Sequence, residues 1–250
     1  VEFGRDQGFG AIQFRGQVER EKPTGLGDLD RLATALQQSG LVPTMELLIG
    51  LHDDGRTQDG RTPLEVLQAN LPIVESLGVI LVHWHLYPLQ YEDPAHGERL
   101  GQRVGELCRP GVELAACHQF VLGIENNPAN INLLSTPQTC GALLDEAPGL
   151  HLVWDINHSP ATQDEGYHAL VPHLAALHVS ETPLPVINHH LPLGMGTVDV
   201  GHHLRTVATG GFRGPAILEI GGLPISGGYG RDTDEALIQS LQHLLVTSAL

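Results

Sequence analysis

The sequence predicts an α/β protein of the TIM-type (β/α) barrel class that lacks the first strand. Three observations lead there. Short aliphatic runs alternate with helix-forming stretches along the whole chain, the pattern of repeated βα units around a parallel sheet. At 250 residues the chain has the length of one such barrel. Hydrophobic residues make up 41% and aromatics only 4%, so the core must be aliphatic, as in parallel strands covered on both faces.

Strands are expected over Gly10–Phe14, Val42–Leu48, Val79–His85, Phe120–Glu125, Leu150–Asp155, Leu174–Val179 and Pro215–Ile220. Helices are expected over Asp28–Gln38, Pro63–Leu77, Glu98–Ala116, Thr136–Glu146, Val200–Ala208 and Asp232–Val246. Thr62 before Pro63, Ser135-Thr136 before Pro137 and the run Asp232-Thr233-Asp234 offer oxygens that can accept from the free amides of a first helical turn. Gly40, Gly78, Gly123, Gly149 and Gly214 stand just before or early in strands, where helix C-caps and tight turns need them. The segment before Gly10 reads as the tail of a helix. That leaves seven strands, one short of a closed barrel. No composition break or low-complexity linker divides the chain, so residues 1–250 are expected to form one domain.

Charge narrows the function. Thirteen basic residues against 29 acidic ones give −16, a surface that repels phosphate backbones and argues against nucleic acid as a partner. Lys22 is the only lysine, so Schiff-base chemistry has almost no candidate residue. No apolar run approaches membrane-spanning length, and the N-terminus lacks the pattern of a signal peptide. Cys108, Cys117 and Cys140 are odd in number and scattered, which fits reduced thiols. A cytoplasmic protein without membrane contact is therefore expected.

In such a barrel the active site forms at the C-terminal ends of the strands. Four expected strands end in a ligand-type residue: Glu125, Asp155, His178 and Glu219. They lie 30, 23 and 41 residues apart, each about one βα unit, so equivalent strand ends would gather all four around one axis. Singly, each is more often a cap or a solvated loop residue. Together, three carboxylates would repel in a low-dielectric mouth, and these strand ends carry no Lys or Arg. A divalent cation resolves that repulsion. The hard, oxygen-rich set favours Mn2+ or Mg2+ over Zn2+ or Co2+, and a substrate with two adjacent oxygens could complete the coordination. His83 and His85, two apart, share one face of their strand while Trp84 takes the other; turned inward, they could meet substrate hydroxyls. Glu46 is expected to be buried in its strand. His189 and His190 precede a loop whose Gly194 and Gly196 are read as turn geometry, and His202 and His203 are read as part of a surface helix.

The motifs Gly8-Phe9-Gly10-Ala11-Ile12, Gly123-Ile124-Glu125-Asn126 and Asp155-Ile156-Asn157-His158 fall in this order along the chain. They are followed by His178, the stretch from His190 to Asp199, and Leu218-Glu219-Ile220. In that order and spacing the chain resembles the xylose-isomerase-like barrels, the sugar phosphate isomerase/epimerase superfamily. The resemblance implies that Glu125, Asp155, His178 and Glu219 hold the metal. It also implies that Glu125 and Glu219 exchange a proton from opposite faces of a ketose, and that His158 touches a substrate oxygen. The chemistry is consistent: deprotonation beside a carbonyl leaves an enediolate stabilised by positive charge, and flanking carboxylates can take and return the proton. Return on the far face is epimerisation, and return to the neighbouring carbon is isomerisation. Loss of a β-hydroxyl from the same enolate would be a lyase or dehydratase reaction on a related sugar or inositol. The residues leave these outcomes open.

Three features depart from the family pattern. The first strand is absent, Gln13 stands where a carboxylate is frequent, and the run Glu181–Pro185 after His178 lacks the arginine of the ketose epimerases. A small keto-sugar or hydroxyketone fits this better than a ketohexose. Two alternatives come from other classes. An endonuclease IV-like phosphodiesterase would use His83 or His85 with Glu125, Asp155, His158, His178, His190 and Glu219 around three metals, although Asn188 replaces an acidic residue there. A degenerate, non-catalytic barrel would account for the missing strand, whose open edge a second copy of the chain could cover.

Overall fold

The computed structural model describes residues 1–22, 24–90, 92–220 and 233–247. The chain begins with α1 (Glu2–Asp6), β1 (Ala11–Arg15), α2 (Leu29–Ser39), β2 (Val42–Leu51) and α3 (Pro63–Leu77). It continues through β3 (Leu81–Pro88), α4 (Pro94–Gly101), α5 (Val104–Cys117), β4 (Val121–Glu125), α6 (Pro137–Glu146) and β5 (His151–Asp155). It ends with α7 (Asp164–Ala169), β6 (Leu174–Val179), α8 (Val200–Thr209), β7 (Ala216–Leu218) and α9 (Thr233–Thr247). Among the described residues the seven strands form one parallel sheet in sequence order. Each strand from β1 to β6 is followed by a crossover that returns the chain beside it, the winding of a (β/α) barrel.

Local chemistry sets the element ends. Thr62 opens α3 with a capping box: its hydroxyl accepts from the Glu65 amide while the Glu65 carboxylate accepts from the Thr62 amide. Thr136 and Thr139 do the same for α6, each ahead of a proline in the first turn. Gly40 and Gly78 end α2 and α3 in the left-handed conformation, at φ 73° and 64°. Asp232, expected to help open α9, lies outside the described residues.

One expectation needs correction. The helix expected over Glu98–Ala116 is two helices, α4 and α5, broken at Gln102 and Arg103. Asp93 accepts from the Ala95 amide and Pro94 takes the first turn, so α4 starts before Glu98. Gly101 then ends it. The short α7 and the 3-10 turns at 156–158, 161–163 and 171–173 were not expected from the sequence. Their runs are too brief for a periodicity to show.

Strand alternation divides the side chains into two sets. Outward-facing Met45, Leu47, Ile49, Trp84, Leu122, Ile124, Leu152, Trp154 and Leu177 form the main core with the helices. Inside the barrel, Leu81, Val153 and Ala176 make a small apolar plug. One pleat further along these strands, on the same inner face, stand His83, Asp155 and His178, and Glu125 joins them from β4 between. Gly123 also faces inward. A Cβ there would lie 3.0 Å from Val153 Cγ2 and 3.1 Å from His83 Cβ, so glycine leaves His83 its room.

The sheet is nearly closed. Among the described residues no ladder joins β7 to β1, and a cavity of about 440 Å3 lies between them, lined by residues 9–15 and 216–220. Among the described residues, no helix is long and apolar enough to cross a membrane.

Candidate metal centre

Glu125 and Asp155 end β4 and β5, His178 is next to last in β6, and Glu219 directly follows β7. Each offers one ligand atom, and all four atoms lie within 4.8 Å of one another. His178 Nδ1 is 3.3 Å from Glu125 Oε1 and 2.8 Å from Glu219 Oε2. Glu125, Asp155 and His178 are buried, whereas the Glu219 side chain keeps 26% exposure on the open side of the mouth.

Neighbouring residues fix these side chains. His178 Nε2 donates to Gln13 Oε1 at 3.0 Å, which leaves Nδ1, the nitrogen facing the carboxylates, free of a proton when a cation is bound. Asn126 clasps β4 to β5, its Oδ1 accepting from the Asp155 amide at 2.7 Å and its Nδ2 donating to the Asp155 carbonyl at 3.2 Å. Asp155 Oδ1 accepts from the Asn157 amide, which leaves Oδ2 for the mouth. Asn127 Oδ1 accepts from His85 Nε2 at 3.0 Å, while its Nδ2 donates to two backbone carbonyls.

The histidines expected nearby are there. His83 Nε2 is 3.1 Å and His85 Nδ1 3.3 Å from Glu125 Oε2. His158 Nε2 lies 3.1 Å from Asp155 Oδ2, and its Nδ1 is 2.8 Å from the Asn126 carbonyl. Other residues join them that the one-metal reading did not place at this site. His190, expected at this site only in the three-metal alternative, has Nδ1 3.1 Å from the Glu219 carbonyl and packs edge-on against His158. Gln13 was noted only as a departure, and Glu46 only as buried. Glu46 Oε1 sits 3.8 Å from His85 Nδ1 and its Oε2 accepts from Arg15 Nε at 3.2 Å. Strand parity could have found Gln13 and Glu46, since Gln13, Arg15, Glu46 and His85 fall on inward positions of adjacent strands. His203, by contrast, is buried rather than on a surface helix face, because it packs edge-on against Trp154.

Burial alone would raise the carboxylate pKa values, and it does so for Asp155, aided by Glu219 and Glu125. At Glu125 burial is more than offset by the imidazoles of His85, His178 and His83 beside it, which hold it well below the usual range. At Glu219 burial is likewise overcome, chiefly by His178. Burial disfavours charge on His178 too, but Glu125 and Glu219 hold its pKa well above that of a free imidazole. His85 is raised to about 9 against its burial, mainly by Glu125. Without a cation, histidine protons balance the carboxylates. A divalent ion would displace those protons.

The donor set fits such an ion. Both oxygens of Glu125, Asp155 Oδ2, His178 Nδ1 and Glu219 Oε2 are buried without a properly directed hydrogen bond. The ion-pair distances among them are short, but the groups are misaligned for donation and acceptance. Buried polar atoms left in this condition are rare, and convergence on one point is the arrangement of a metal site.

A profile of the family described as the xylose isomerase-like TIM barrel matches residues 1–245. The chain is 25% identical over 201 residues to the L-ribulose-5-phosphate 3-epimerase UlaE of Escherichia coli O157:H7 (strain EC4115 / EHEC), covering 76% of this chain and 68% of that protein. Among solved structures, the IOLI protein with a bound zinc atom superposes with a TM-score of 0.78 at 17% identity, over 99% of this chain and 91% of that one. D-psicose 3-epimerase in the presence of D-fructose superposes with a TM-score of 0.73 at 17% identity, over 98% and 91%. With its parallel barrel and a profile match along almost its whole length, the chain belongs to the xylose isomerase-like TIM barrel family.

Proposed function

We propose that this chain is a metal-dependent isomerase or epimerase acting on a small keto-sugar or hydroxyketone by exchanging the proton beside its carbonyl. One observation carries the reading: a ligand atom from each of Glu125, Asp155, His178 and Glu219 converges within 4.8 Å. These four residues would hold the ion, with Mn2+ or Mg2+ best suited to the oxygen-rich set. When bound, a divalent cation supplies positive charge that polarises a carbonyl and stabilises the enediolate it becomes.

The chain's own residues do the rest. Glu125, held below the usual carboxylate range, stays ionised near neutral pH and can accept a proton. Glu219 is also held ionised, reaches the mouth from a different strand and is partly open to the cavity, so it can return a proton to another face or atom. His158, His83 and His85 would offer donors to substrate oxygens. His158 and His85 line the cavity beside the cluster, whereas His83 is buried against Glu125, and the plug of Leu81, Val153 and Ala176 closes the barrel beneath. The relatives named as 3-epimerases favour return of the proton on the opposite face of the same carbon. The absence of an arginine after His178 favours a substrate shorter than a ketohexose.

The test is deuterium uptake from D2O into small ketoses and hydroxyketones with Mn2+ supplied. Exchange at the carbon beside the carbonyl is expected, and its absence from every candidate would overturn the reading. A second reading, the endonuclease IV-like phosphodiesterase, has one observation in its favour. Three further groups, His83–Glu125–His178, His85–Glu125–His158 and Asp155–His158–His190, also present ligand atoms within 4.8 Å of one another. Elemental analysis separates the two: about one metal ion per chain fits the isomerase, and about three zinc ions fit the phosphodiesterase.

A further inference from the structure

Beside the ligand cluster lies a cavity of about 340 Å3. His85, His158, His190 and Glu219 line it, and so does Arg15, the only lysine or arginine among its described lining residues. Arg15 ends β1 directly beside Glu46 of β2. Its Nε donates to Glu46 Oε2 at 3.2 Å, and the Glu46 side chain is only 4% exposed. Arg15 itself is 69% exposed, and neither terminal nitrogen has a partner among the described residues. A buried carboxylate thus anchors one edge of the guanidinium and leaves the other as an open pair of donors. Beyond Glu46, alternating charge leads inward: Glu46 Oε1 is 3.8 Å from His85 Nδ1, and His85 Nδ1 is 3.3 Å from Glu125 Oε2.

We propose that the substrate carries an anionic group, a carboxylate or a phosphate monoester, and that Arg15 receives it while the reacting carbonyl lies at the Glu219 end of the same cavity, where the candidate metal cluster borders it. This inference rests on the enolisation reading above. A chain of net charge −16 repels an anion at long range, so an anionic substrate needs a local cation fixed in the mouth. Arg15 supplies it in the right form, since a planar fork with two parallel donors matches two oxygens of a carboxylate or phosphate. The bland reading makes Arg15 only a solvated counter-ion for Glu46. That role would affect neutral and anionic substrates alike.

The experiment uses the metal-loaded protein and three related ketones: dihydroxyacetone, hydroxypyruvate and dihydroxyacetone phosphate. Deuterium uptake should be at least about tenfold more efficient for one or both anions than for dihydroxyacetone. Arg15→Gln should remove that preference and leave exchange into dihydroxyacetone within about twofold. Arg15→Lys, which keeps the charge beside Glu46 should Arg15→Gln fold poorly, should retain only part of it. The two anionic ketones decide between carboxylate and phosphate. Equal losses on all three ketones in both variants, or no preference in the unaltered protein, would overturn the proposal while leaving enolisation intact. If no ketone exchanges at all, the enolisation reading fails, and calorimetric titration with glycerate, glycerol phosphate and glycerol judges the anion site separately. Binding of an anion that Arg15→Gln weakens about tenfold would uphold the site, and binding indifferent to Arg15 would end it.

Discussion

Two groups of histidines lie on opposite faces of β5, and the same side chain behaves oppositely in each. Asp155 points into the barrel, where His158 and His178 stand among carboxylates and the His178 pKa is driven well above its ordinary value. Trp154, the preceding residue, points outward and stacks on Tyr167 at 5.2 Å between ring centres, with His168 and His203 edge-on against it. There His168 Nε2 and His203 Nδ1 share a hydrogen bond of 3.1 Å. Burial, then the neighbouring His168 and His202, pushes His203 down to about 4. Fifteen histidines in a composition therefore say little about metal. What matters is whether strand-end carboxylates or an indole and other imidazoles surround them.

Substitution of the mouth carboxylates should separate the two groups most sharply. Glu125→Gln and Glu219→Gln are each expected to lower turnover by at least about a thousandfold, since under the proposed mechanism each would remove both a metal ligand and a proton-transfer group. Metal content measured on the same samples should fall as well. His168→Ala should leave both unchanged. Near-normal turnover and metal content in either Gln variant would sink the two-carboxylate mechanism.

A smaller effect should come from Gln13, which touches no ligand position directly but accepts from His178 Nε2. Gln13→Leu removes that acceptor and frees the imidazole to present the wrong nitrogen. Metal affinity is expected to fall about 10- to 100-fold, read by competition with a chelating dye. Gln13→Glu, which keeps an acceptor, should restore most of it. If the Leu variant binds metal as tightly as the unaltered protein, Gln13 does not set the tautomer.

The barrel was legible in the sequence, and so was the convergence of Glu125, Asp155, His178 and Glu219, because both follow simple periods. A strand every βα unit fixes the architecture, and a polar residue after each aliphatic run marks the strand end. Less could be read where position depends on neighbours distant in the chain. Gln13 meets His178 across the unpaired seam, and Glu46 meets Arg15 and His85 through strand register. His190 reaches Glu219 from a loop in which it adopts a positive φ of 49°, and no period announces that. His203 shows the opposite limit. In a helix that reads as surface, one residue turned toward Trp154 is buried while its neighbour His202 stays exposed.

The outer cluster makes the mildest prediction, a dependence of stability on pH. His203 has a folded pKa near 4 against about 6.5 when unfolded, so between these values the unfolded chain binds the proton more readily. Stability from the neutral, buried ring is therefore fully present above about pH 6.5 and is lost as pH falls toward 4. Between pH 7.5 and 5 the loss should be about 2 kcal/mol, or roughly 4–8 °C in Tm for a chain of this size. His203→Gln cannot take the proton, so its Tm should drop correspondingly less over that interval. Metal-free protein should be used, because the mouth acts in the opposite sense. His85, raised to about 9, contributes stability below about pH 6.5 and loses it as pH rises through 9. Parallel acid profiles for the two proteins would show that His203 is protonated without penalty, and the contrast between the two faces of β5 would then reduce to the mouth alone.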